Sequence, residues 1–141
     1  GELVSDMKHV SLEDELERSK EILRKAGITF KRKTKKPLPL LSLAAETMLA
    51  LSIREAITNV LKHSEAGTCT ITQYEDNEHY VVRVSDNGNG SLKQGEGNGL
   101  QSMKDRMVML GGDVVMDSNS DHGTSLTFHV PLTSNRRVSQ T

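Results

Sequence analysis

At 141 residues, with 18 basic and 19 acidic side chains, the chain has the length of one domain able to bury roughly 70% of its extended surface, and its near-neutral balance excludes a global pull toward nucleic acid or an anionic membrane. The single cysteine, Cys69, excludes an intrachain disulfide and a thiolate zinc cluster; with no signal peptide and no apolar run of membrane-spanning length, a cytoplasmic location is expected.

Helices and strands alternate along the chain. Ser11 with Asp14 reads as a capping pair, Leu12, Leu16, Ile22, Leu23 and Ala26 recur at helical spacing, and Gly27 stops the run. "ITFKR" predicts a strand, and the prolines of "KPLP" break the chain before a long second helix from about Leu43 to His63. Strands near Thr68 to Tyr74 and His79 to Asp86 are joined by the turn "EDNE", and a glycine-rich loop follows. A third helix is predicted from about Leu100 to Leu110, stopped by Gly111 and Gly112, with closing strands near Val114 to Asp117 and Thr124 to Val130. The tail "TSNRRVSQT" has no apolar period, so residues 134–141 are expected to fray.

The strand patterns indicate which face is covered. Val82, Val84 and Asp86 share one side of their strand, and Thr124, Leu126, Phe128 and Val130 share one side of the last, whereas Arg83, Ser85, Ser125, Thr127 and His129 point the other way. One face is therefore wet, and the class is α+β: a two-layer sandwich with about five strands in a mixed sheet and three helices on one face. If these two strands are antiparallel neighbours, Asp86 and Thr124 meet at the rim of the core. A carboxylate that continues an apolar row is costly to desolvate unless something donates to it, so Asp86 is a candidate binding residue.

The second helix carries Glu55, Asn59 and His63 every fourth residue, with Lys62 beside them and Leu49, Ile53, Ile57, Val60 and Leu61 as the apolar side. A polar stripe is most often a solvated face. Yet a carboxylate, a carboxamide and an ammonium so spaced also suit a metal-bound phosphate, with oxygen ligands for a hard cation and a positive charge for the anion.

"DNGNG" alone would serve as a hairpin turn, but no returning strand follows. An EF-hand needs oxygen ligands where Gly88 and Gly90 stand and a glutamate where Gly97 stands; the P-loop ending and the dinucleotide spacing are both missing. What remains is a loop whose second glycine cluster, through Gly97 and Gly99, leads into the third helix at Leu100, where bare amides and a positive helix end can receive an anion such as phosphate. The run "KRKTKK" and the methionines 103, 107, 109 and 116 are read as a solvated, edge-protecting stretch and as packing residues.

"REAITNVLKHS", "DNGNG", "GNGLQSMKDRMVMLGG" and "GTSLTFHVPL", in this order, resemble the N box, the first and second glycine boxes and the closing strand of GHKL ATP-binding domains. More narrowly they resemble the catalytic domain of two-component sensor histidine kinases of the NarL/DesK-like subfamily, over nearly everything from Ser11 to Leu132. The resemblance implies a Bergerat fold with ATP and Mg2+ as ligands. It implies that Asn59 coordinates magnesium on the ATP phosphates, that Glu55 corresponds to the glutamate that activates water in hydrolysing relatives, and that Asp86 accepts from the adenine amino group with Thr124 assisting through water. Gly88 and Gly90 would let the chain pass close to the base, Gly97 and Gly99 would frame the lid and phosphate end ahead of Leu100, and Lys62 and His63 would lie near the phosphates.

The implied reaction is transfer of the ATP γ-phosphoryl group to a histidine. The usual acceptor segment, a histidine with an acidic neighbour on a dimerising helix, is not found here, and His9 has the wrong surroundings for it. Residues 1–10 are therefore expected to be a lead-in from a missing dimerisation and phosphoacceptor domain, with residues 11–133 as the catalytic domain. The implied partners are that histidine domain and a LuxR-type response regulator, with no nucleic acid and no membrane contact by this stretch, although the parent protein could be anchored in the cell membrane. The alternative is a serine protein kinase of the anti-sigma-factor type, which shares the same boxes.

Overall fold

The computed structural model describes residues 8–63, 65–90, 99–119 and 121–138. In chain order the elements are α1 (Leu12–Lys25), β1 (Thr29–Thr34), α2 (Leu43–His63), β2 (Thr68–Asp76), β3 (His79–Asp86), α3 (Leu100–Met109), β4 (Asp113–Asn119), β5 (Gly123–Pro131) and the single turn α4 (Leu132–Asn135). The five strands form one sheet in the order β1-β2-β3-β5-β4, with β1 parallel to β2 and every other pair antiparallel. This is the mixed sheet and two-layer α+β architecture expected from the strand patterns.

Local chemistry sets the element ends. Ser11 caps α1, its Oγ accepting from the Asp14 amide at 3.2 Å, an interaction that contributes about 1 kcal/mol. Gly27, at φ +79°, turns the chain out of that helix. Between β2 and β3 the turn residues Asn77 and Glu78 both take positive φ, the geometry that matches the twist of a tight hairpin.

Leu16, Leu23, Leu49, Ile53, Ile57, Ile71, Met103, Met107 and Phe128 are almost completely buried between the helices and one sheet face. Each such side chain contributes roughly 1.5–3 kcal/mol of transfer free energy. Two of the expected core positions differ: Ala26 forms the exposed C-cap of α1, and Leu61 is 39% exposed near the end of α2. In their place α1 buries Glu15, whose carboxylate takes Arg54 of α2 at 2.7 Å and Arg18 at 3.1 Å. A buried charge held by two guanidiniums fixes the docking of α1 on α2, and loss of either would leave it under-compensated.

The expected fraying of residues 134–141 is corrected for residues 134–138; residues 139–141 lie outside those described. Asn135 is buried, and its Nδ2 donates to the Leu110 and Pro131 carbonyls, both at 2.8 Å, so it satisfies acceptors where α3 and β5 end. Arg136 bridges to Leu41, and Arg137 donates to the Leu41 carbonyl and to Glu46. Hydrogen bonding to backbone carbonyls holds this segment where apolar periodicity is absent.

Candidate functional site

β3 and β5 bring Asp86 to Thr124. Their register pairs Val84 with Leu126 and Ser85 with Ser125, so the next position on each strand faces the other at the sheet end. Asp86 is only 6% exposed. Its Oδ1 accepts from the Gly88 amide at 2.8 Å and, less closely, from the Thr124 amide at 3.4 Å. Burial pushes its carboxyl above the ordinary value of 3.8, and these two amides oppose that push. Cys69, opposite Asp86 on β2, is itself pushed up to about 12, first by burial and then by the Asp86 charge.

Three residues to which the sequence reading gave no role complete this corner. Asn87 Oδ1 accepts from the Gly67 and Thr68 amides, which ties the start of β2 to the end of β3. Ser118 donates to the Gly90 carbonyl at 2.8 Å and lies 3.1 Å from the Thr124 hydroxyl, so β4 holds the glycine loop beside Thr124. Gly123 sits at φ +87°, where a Cβ would run into the Asp86 carbonyl and the Gly88 amide. Gly123 opens β5, but nothing in the sequence marked its approach to Asp86, and Ser118 and Asn87 carried no signal either, because strand periodicity does not reveal contacts between strands.

A second group lies on the helices. Glu55 Oε1 pairs with Arg106 of α3 at 3.1 Å, while its Oε2 is buried with no hydrogen-bond partner among the described residues. An orphaned oxygen of this kind costs about 1–3 kcal/mol, the mark of a group kept for something other than stability. Gly99, the N-cap of α3, takes φ +74°, which strains any side chain placed there, and a Cβ on it would run into Oε2 of Glu55. Asn59, one turn after Glu55 on α2, is 7% exposed. Leu100 is buried in the core at the first position of α3, Lys62 is exposed in the last turn of α2, and His63 is the last residue of that helix. Gly97 lies outside the described residues.

The direction of α2 relates the two groups. Its start is tied to the Pro131 end of β5 by the Ser42 amide donating to the Asn135 carbonyl at 2.7 Å. Its 21 residues extend about 31 Å, the full length of the strands beneath, and pack on β3 and β5. From His63 only five residue steps reach Thr68, at most ~18 Å of chain, and Thr68 is bonded to Asn87. The Asn59 end of α2 therefore lies over the Asp86 end of the sheet. The first turn of α3 carries no acidic residue, and Gly99 brings no capping side chain, which suits an anion at that helix end. A cavity of about 820 Å3 lined by Glu13, Arg32, Gln73 and Tyr80 lies at the opposite end of the sheet, away from these residues.

Residues 44–134 match the family of histidine kinase-, DNA gyrase B-, and HSP90-like ATPases, and the chain belongs to that family. It is a GHKL ATPase domain, homologous to those of histidine kinases. The chain is 37% identical over 135 residues to the sensor histidine kinase YvfT of Bacillus subtilis, covering 93% of this chain and 35% of that protein. It is 36% identical over 132 residues to the sensor histidine kinase DesK of the same organism, covering 92% of this chain and 35% of the relative. It thus spans about a third of the length of these curated relatives. Among solved structures, the ATP binding domain of PrrB from Mycobacterium tuberculosis superposes with a TM-score of 0.67 at 21% identity, over 89% of this chain and 97% of that one; at that identity the likeness establishes the fold.

Proposed function

We propose that the chain is the catalytic, ATP-binding domain of a sensor histidine kinase of the NarL/DesK-like group, transferring the γ-phosphoryl group of Mg-ATP to a histidine on a separate dimerisation domain for relay to a LuxR-type response regulator. The observation that carries this reading is Asp86, a carboxylate buried at the sheet end and held by the Gly88 and Thr124 amides. Adenine offers an amino donor where guanine offers a carbonyl, so a carboxylate there selects ATP over GTP. Thr124 assists at the base, and Gly88 and Gly90 allow its close approach. The sensor kinases among the relatives support the choice of kinase over a hydrolase.

The residues at the α2 and α3 ends fit a phosphate-bound cation. Asn59 supplies a neutral oxygen, Glu55 holds an unpartnered oxygen close by, and α3 presents its positive end. Among the described residues no group of three or more histidine, cysteine, aspartate or glutamate side chains could hold a metal alone, so magnesium is expected to be held on the ATP phosphates with Asn59 as one ligand. Bound there, the ion neutralises phosphate charge. Lys62, His63, Gly97, Gly99 and Leu100 frame the phosphate end in this reading. In the transfer itself an acceptor imidazole nitrogen forms a P–N bond as the bond to the bridging oxygen breaks; ADP departs and the ring sheds its proton. Positioning supplies most of the rate. The reaction places the domain on the cytoplasmic side, where ATP is available; no described helix is long and apolar enough to cross a membrane.

The test is incubation of the chain with γ-labelled ATP and a separately supplied dimerisation domain. Acid-labile label on that domain is the expected result. Acid-stable phosphoserine on a partner protein, or free phosphate alone, would replace this reading with a serine kinase or an ATPase.

A further inference from the structure

We infer that Arg106 is a positioning residue that keeps Glu55 from activating water, so that bound ATP is preserved for transfer; the inference rests on the nucleotide reading above and concerns the fate of the same phosphoryl group. Any γ-phosphoryl group held here faces two nucleophiles, an imidazole nitrogen and water. In the second case the water oxygen bonds to phosphorus, the bond to ADP breaks, and the water proton needs a base within hydrogen-bond reach. Glu55 stands where such a base would stand, one turn before Asn59 and against the N-terminus of α3.

Neither of its oxygens can serve. Oε1 is held by the Arg106 guanidinium at 3.1 Å. Oε2 is closed off from solvent beneath Gly99 and accepts no hydrogen bond from any described residue. The carboxylate is thus locked with one oxygen held by the guanidinium and the other buried out of reach of water, and the lock bridges two helices that both border the phosphate end. The pair is also open enough to release: the side chains are 29% and 27% exposed, so departure of Arg106 would let Glu55 swing to solvent. Were Arg106 only a brace between helices, its loss would loosen the site and lower nucleotide affinity without creating an activity.

The measurement is phosphate release from saturating Mg-ATP by the chain as it stands, together with calorimetric affinity for Mg-ATP in each variant. Arg106→Ala is expected to raise phosphate release about a hundredfold, the lower end of what a positioned base contributes. Arg106→Lys, which restores a cation to Oε1, brings the rate back down, and Glu55→Gln combined with Arg106→Ala returns it to the level of Glu55→Gln alone. An activity-independent readout is the Arg106 guanidinium resonance, expected to be protected in the wild type and released in Glu55→Gln. Should Arg106→Ala fail to fold, Arg106→Gln carries the same comparison. An unchanged or lowered rate with intact affinity overturns the inference, as does a rise that survives in the double variant. Failure of the wild type to bind Mg-ATP at all removes the nucleotide reading and this inference with it.

Discussion

At neutral pH the burial of Asp86 works against folding, because its carboxyl is raised above 3.8 and the folded state must hold it ionised in a poorly solvated place. The folded chain therefore takes up that proton before the unfolded chain does. Asp86 ceases to oppose folding as pH falls through its raised folded value, and below 3.8 both states are protonated. Asp86→Asn should stabilise the nucleotide-free chain by about 1 kcal/mol at pH 7 while abolishing Mg-ATP binding, and in urea melts the stability gap between variant and wild type should close as the pH drops toward 4. A variant less stable than wild type at pH 7 would show that the carboxylate is a structural partner for Gly88 and Thr124. Asp86 was legible in the sequence because it breaks an apolar alternation; Gly123 was not, since its role depends on the chain passing over it from β3. Gly123→Ala forces a side chain into φ +87° and against the Asp86 carbonyl, so it should cost roughly 2–4 kcal/mol by chemical denaturation.

Among the elements, α2 and the hairpin of β2 and β3 were readable because each carries a strong local period and clear stops: Leu49, Ile53 and Ile57 along the helix, Val82 and Val84 along the strand, Asn77 and Glu78 at the turn. The fourth helix was not. Four residues make one turn, too short to display a period, and its docking depends on Asn135 meeting carbonyls from α3 and β5. The same blindness hid Glu15, which stands among apolar positions of α1 and is tolerated there only because Arg54 arrives from α2. Asn135→Ala should leave the Leu110 and Pro131 carbonyls short of a donor and cost about 1–3 kcal/mol, with amide exchange faster first in the last turn of α3. Amide protection unchanged there would mean that the tail rests on α3 and β5 without holding them.

For the molecule as a whole, folding joins a helix residue, Asn59, to a strand residue 27 positions later, Asp86, by laying α2 along the sheet with its C-terminal end over the end of β3. Residue patterns told which side chains are buried; the relation between the two came from the order of the boxes that the chain shares with its family, and the structure supplies the physical reason for it. A ligand that spans both ends stabilises the whole chain by mass action, about 2.7 kcal/mol when present at a hundred times its dissociation constant. For a domain of 141 residues this corresponds to a rise in Tm of roughly 9 °C. Mg-ATP should produce that rise and Mg-GTP none. Asp86→Ala should lose the rise with Mg-ATP, because the base edge has no acceptor. Asn59→Ala with Mg-ATP should behave as the wild type does with ATP and a chelator, keeping the contribution of the base and losing that of the ion. Equal rises for ATP and GTP in differential scanning fluorimetry would mean that the pocket grips phosphates alone, and Asp86 would then need an explanation other than recognition of adenine.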